Sequence, residues 1–171
     1  IPAEYCNLNF PNTIKKWDEA VPLGNGDLGC LIWGGPSALR FSIDKGDLWD
    51  CTGGPVAGGE YTYRNLIRLV KKKRQREIVR IFDLPYYKAT PQIAAGKIIL
   101  DLKTSGNVKS SLRLSDASAA VETGGVVLNS FISASRPLGM IRINSTDVEF
   151  QIEPPAYGDP DRRHWKKWLQ N

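Results

Sequence analysis

With 171 residues, 42% hydrophobic and 24% charged, the chain is long enough to enclose a core and too apolar for wholesale disorder or a collagen-like repeat. No apolar run approaches the ~20 residues of a helical bilayer span, and three cysteines without C-x-x-C spacing, Cys6, Cys30 and Cys51, define neither a zinc site nor a complete disulfide framework, so buried free thiols are expected. The net charge of +5 points to a nucleic-acid partner only if it lies along one face with aromatics between. Much of it sits instead between Arg64 and Arg76, where a solvated helix face is the simpler reading.

The chain opens on Ile1 with no cationic-then-apolar leader, as a processed or engineered product would, and export is left open. Residues 1–16 hold Pro11-Asn12 and no sustained period, so they read as an entry segment of short extended pieces. A glycine-rich turn, Leu23-Gly24-Asn25-Gly26-Asp27-Leu28-Gly29, then runs into the apolar segment Cys30-Leu31-Ile32-Trp33. After a second turn, Gly34-Gly35-Pro36-Ser37, the run Leu39-Arg40-Phe41-Ser42-Ile43-Asp44 alternates at period two. Strands are expected at about 28–34 and 38–44.

Four glycines and a proline make 51–59 a loop. Apolar residues at 66, 67, 70, 78, 81 and 82 predict a helical segment from about 63 to 83, as one helix or two, because Lys71 to Gln75 offers nothing to continue the stripe. Beyond the linker Tyr86 to Pro91 the period changes to short β-rich runs at 96–102, 110–115, 119–122, 126–132, 139–143 and 148–152, punctuated by Gly106-Asn107, Gly124-Gly125, Arg136-Pro137 and Asn144-Ser145-Thr146. Such spacing predicts antiparallel meanders in a sandwich or barrel. A doubly wound sheet would need a helix between successive strands, and after residue 96 there is no room for one. The fold expected is mainly β, an antiparallel β-sandwich with a short helical insertion around residues 63–83. The tail from Pro154 to Trp168 reads as a loop cut off mid-fold.

Candidate chemistry is sparse. The single histidine, His164, lies in that tail, so a Ser-His-Asp or Cys-His site has little to be built from. Asp44, Asp47 and Asp50 recur every third residue, but not with the spacing of an EF-hand loop, and turn aspartates bonded to nearby backbone explain them better. No P-loop or dinucleotide fingerprint is present. Trp33, in an apolar strand, is expected in the core. Trp49 stands before a glycine loop, where either core packing or a sugar contact suits an indole. Trp165 and Trp168 stand three apart in the tail, and Asn144-Ser145-Thr146 fits a glycosylation sequon.

Trp17, Ala20 and the run Pro22-Leu23-Gly24-Asn25-Gly26, closed by Leu28-Gly29, resemble the N-terminal β-sandwich module of glycoside hydrolase family 95 and its alpha-L-fucosidase relatives. Cys30 to Gly35, Leu48-Trp49, Gly53-Gly54-Pro55, the helical residues 64–82 and the later strands match that module in order. Lys45-Gly46-Asp47 and Asp50-Cys51-Thr52 depart from its usual motif, while Asn25-Gly26-Asp27 and Asp47-Leu48-Trp49-Asp50 look closer to uncharacterised bacterial relatives. The resemblance implies a super-β-sandwich that is one domain, 1–171, of a larger secreted or periplasmic polysaccharide-degrading enzyme. Its partner would be an (α/α)6 catalytic barrel of the same parent chain, with an oligo- or polysaccharide bound. It implies no catalytic, cofactor or metal residue in this chain. Asp47, Trp49 and Asp50 are then the expected carbohydrate or domain-interface contacts. A free-standing carbohydrate-binding or adhesion module is the alternative, and nucleic-acid binding through residues 64–76 a third.

Overall fold

A computed structural model describes residues 2–49, 58–84 and 93–155. The chain divides into two compact units, one made of Ile1–Asp47 with Ala94–Asn171 and the other of Leu48–Ile93.

The first unit is the sandwich. Strands β1 (Leu8–Phe10), β2 (Val21–Gly24), β3 (Leu28–Trp33), β4 (Leu39–Lys45), β5 (Gly96–Asp101), β6 (Lys109–Arg113), β7 (Ser118–Thr123), β8 (Val126–Ile132), β9 (Gly139–Ile143) and β10 (Glu149–Glu153) form two five-stranded sheets. One has the order β1-β6-β7-β8-β9 and the other β10-β5-β4-β3-β2, and every pairing is antiparallel. The expected mainly-β sandwich is thus observed.

Period-two alternation sends one row of most strands between the sheets. Val21 and Leu23 of β2, Ile32 of β3, Leu39 and Phe41 of β4 and Leu100 of β5 join Leu112 of β6, Ala119 and Val121 of β7 and Leu128 of β8 in one buried cluster. Removing that much apolar surface from water is the main force holding the sheets face to face. β2 touches β6, β7 and β8, so it is a place where the two layers meet.

β2 was not expected as a strand, because Leu23 to Gly29 reads as a glycine-rich turn, and it carries Pro22. Its place at a sheet edge explains the tolerance, since an edge strand can lack a ladder donor. Gly34 ends β3 at φ +110, donating its N–H to Ile14 O at 2.9 Å. A side chain there would run into the Ala38 carbonyl oxygen, so only glycine closes this turn.

The second unit is helical. Thr62 caps α1 (Tyr63–Lys71) by accepting the Asn65 N–H on its hydroxyl at 3.2 Å. Lys73, at φ 54, turns the chain before α2 (Gln75–Ile78) and a π-helical turn, Val79–Asp83. Of the two readings, one helix or two, the structure has two, broken where the polar run interrupts the apolar stripe. Leu69 and Ile81 are buried, and the rings of Tyr61 and Phe82 lie 5.0 Å apart.

Candidate functional site

The glycine motif folds into a clamp at one end of the sandwich. Between β2 and β3 the side-chain oxygen of Asn25 accepts the backbone N–H groups of Asp27 at 3.0 Å and Leu28 at 2.8 Å, while Gly26 supplies the φ of +90 that the reversal needs. The Asn25 amide nitrogen donates to the carbonyls of Ser133, at 2.8 Å, and Arg136, at 3.0 Å, in the β8–β9 loop. One asparagine thus shapes its own turn and ties the end of one sheet to a loop of the other.

The turn after β4 is fastened to the same place. Gly46 donates its N–H to Asp27 O at 2.7 Å, and the Lys45 ammonium bridges the carboxylates of Asp27, at 2.9 Å, and Asp47, at 2.8 Å. That hydrogen bond from Lys45 holds the Asp47 carboxyl below the usual carboxylate range, and the Asp47 and Asp27 carboxylates in turn raise the Lys45 ammonium. An acid of this kind stays ionised at neutral pH and is unsuited to protonate a glycosidic oxygen, which calls for a raised pKa. Asp44 accepts the Lys45 N–H at 2.9 Å, the backbone role expected of it.

Asp47 is therefore exposed and ion-paired to Lys45, while Trp49 belongs to the helical unit, where it is 52% exposed. Asp50, Cys51, His164, Trp165 and Trp168 lie outside the described residues. Among the described residues no cluster of three or more His, Cys, Asp or Glu side chains is placed to hold a metal ion. At the sequon, Asn144 accepts the Val127 N–H on its side-chain oxygen at 2.7 Å, so this side chain already serves the β8–β9 hairpin.

A second polar group lies on the face of β3, β4 and β5 opposite the core row. Arg40 pairs with Trp33 across the strands, its guanidinium 4.8 Å from the indole centroid, and the indole N–H donates to Ser42 Oγ at 3.0 Å. Trp33 is buried, as expected of it. In the next strand Lys97, only 6% exposed, has its ammonium 3.5 Å from Glu153 of β10. The composition of single strands hides this group. Its one trace in the sequence is the polar set Arg40-x-Ser42 alternating against Leu39-x-Phe41, which shows a strand with two different faces but not what β5 and β10 place beside it.

Comparison with known proteins fits this architecture. The family model described as "Glycosyl hydrolase family 65, N-terminal domain" matches residues 8–152, from the first residue of β1 to within one residue of the end of β10. Over 49 residues the chain is 42% identical to Alpha-L-fucosidase 2 of Arabidopsis thaliana, a stretch that is 29% of this chain and 6% of that protein. The chain thus corresponds to a small part of this relative's length. The motif resemblance pointed to family 95 and the matching model is numbered 65; an N-terminal module of a glycoside hydrolase is common to both. The chain belongs to the glycosyl hydrolase family 65 N-terminal domain family.

Proposed function

We propose that the chain is the non-catalytic N-terminal β-sandwich of a polysaccharide-degrading glycoside hydrolase, supporting a separate (α/α)6 catalytic barrel of the same parent chain. The match of the family model to residues 8–152 carries this reading. Three aspartates, Asp47, Asp101 and Asp116, are held below the ordinary range by hydrogen bonds from Lys45, Lys103 and Ser118 respectively, and so are unsuited to act as the acid. Export to the medium or the periplasm follows from the substrate, because a polymer does not cross a membrane to reach its enzyme. The loop Asp47-Leu48-Trp49-Asp50 is the part of this domain we assign to the interface with the barrel or to the rim of its pocket.

Exposed apolar surface favours docking over a free-standing carbohydrate-binding module. On β10, Phe150 and Ile152 pair with Leu100 and Ile98 on the core side of the sheet, yet are 72% and 67% exposed. Phe131 and Met140, paired across β8 and β9, are exposed as well. Aliphatic and phenyl surface of this kind suits a protein partner, whereas a row of Trp and Tyr suits sugar stacking. The exposed Trp49 is the observation on the side of the free-standing module. Incubation of the chain with aryl glycosides is expected to release no phenol above background; clear turnover would overturn the proposal.

A further inference from the structure

The whole charge excess of the chain sits in its helical unit. Residues 58–84 hold eight lysines and arginines (Arg64, Arg68, Lys71, Lys72, Lys73, Arg74, Arg76 and Arg80) against Glu60, Glu77 and Asp83, a net +5, so the other residues balance at fifteen of each sign. All eight cations are exposed. Two of the three carboxylates are already used, Glu60 by Arg80 at 3.0 Å and Glu77 by Arg74 at 3.7 Å. Among the described residues Arg64, Arg68, Lys71, Lys72, Lys73 and Arg76 form no ion pair.

Along α1, Arg64, Arg68 and Lys71 follow one another at i, i+4 and i+7, a single stripe about 10 Å long. The opposite side is the packed one, with Leu69 buried and Leu66 half-buried. Arg68 is steadied by a neutral partner, donating from Nε and Nη2 to the Asn65 side-chain oxygen at 3.1 and 2.7 Å, so its charge is oriented without being cancelled. Tyr63, 77% exposed, opens the same helix with a ring able to lie against a sugar face. Six like charges held on so short a segment repel one another, and that repulsion is relieved by a ligand bearing carboxylates or sulfates at regular intervals.

We infer that the α1–α2 segment is a binding surface for an acidic polysaccharide, one with a carboxylate on successive sugar units. The inference rests on the reading of the chain as a domain of a polysaccharide-degrading hydrolase, since charge alone would equally attract nucleic acid. A single exposed ring on α1 also falls short of the repeated aromatic platforms that single-stranded nucleic acid uses.

The test is affinity electrophoresis of the whole chain through polygalacturonate, its fully methyl-esterified form, and duplex DNA. Retardation is expected in polygalacturonate at low salt, weakening as salt rises, with little in the neutral ester and less in DNA than in polygalacturonate. The variant R64Q/R68Q/K71Q should weaken the polyuronate interaction about tenfold, three exposed charge contacts together. The equally charged control K15Q/K16Q/K109Q should leave it unchanged. No retardation by polygalacturonate at low salt, an equal loss in the control variant, or tighter binding to DNA overturns the assignment. Each of those results leaves the domain reading standing, which only turnover of aryl glycosides removes.

Discussion

Asn25 concentrates more of the design than any other polar residue in the sandwich. Its amide group makes four hydrogen bonds, two within its own turn and two to the β8–β9 loop. Asn25→Ala is expected to destabilise the chain by about 2–3 kcal/mol, measured by urea unfolding, because at least two backbone carbonyls lose their donor as the turn loses its cap. Asn25→Asp keeps both acceptor bonds but sets a carboxylate against the carbonyls of Ser133 and Arg136, so it should not restore stability. Wild-type behaviour of that variant would mean the tie between the two sheets contributes nothing. Cys30 gives a second test at this scale. Burial among core residues pushes its thiol up to about 12, leaving about a thousandfold less thiolate at pH 8 than an ordinary cysteine. Maleimide labelling followed by mass spectrometry should find Cys30 protected in the native chain and reactive in urea.

Among the elements, the contrast between β8 and β10 separates core from exposed apolar surface. Leu128 of β8 is 0% exposed in the centre of the cluster, and Leu128→Ala should cost about 3 kcal/mol through lost burial and the cavity left behind. Phe150 of β10 is on the corresponding core side of its sheet but largely in solvent, so Phe150→Ser should cost under about 1 kcal/mol in the isolated chain. Comparable losses in thermal or urea denaturation would contradict this. Period-two patterning identifies both residues as inward-facing; it carries no information about whether a second layer lies opposite. The two β10 glutamates show the same division: Glu149 reaches Lys103 at 2.9 Å and Glu153 reaches Lys97 at 3.5 Å, pairs made only by the β5–β10 register.

For the molecule as a whole, electrostatics set the pH range over which the sandwich is most stable. Asp47, Asp101 and Asp116 have folded-state pKa values below their ordinary ones, so their contribution is complete above about pH 4 and is lost as the pH falls through the depressed values. Lys45 and Lys103 are raised, by hydrogen bonds to Asp47 and Asp27 and to Asp101 and Glu149. Their contribution holds below about pH 10 and is lost as the pH climbs through the raised values. The melting temperature should therefore be flat between about pH 5 and 9 in respect of these groups and fall below about pH 4. The variant D47N/D101N/D116N should show a shallower acid limb; an unchanged slope would remove these pairs from the account.

Local pattern determined the class of the fold, the positions of most strands and the helical interruption, because side-chain alternation and glycine turn chemistry act over a few residues and are visible within a window of that size. The motif from Trp17 to Trp49 also pointed by itself to the N-terminal module of a glycoside hydrolase, though to family 95 where the matching family model is that of family 65. Only the tertiary structure decided that Val21–Gly24 is a strand, since Pro22 is tolerated there by the position of β2 at a sheet edge. It alone showed that Asn25 serves as a clamp between layers, that Lys45 neutralises two of the aspartates and that Lys97 is buried against Glu153. Those pairings join residues up to about a hundred positions apart, and their partners are chosen by sheet register and layer packing, which no local stretch of sequence contains.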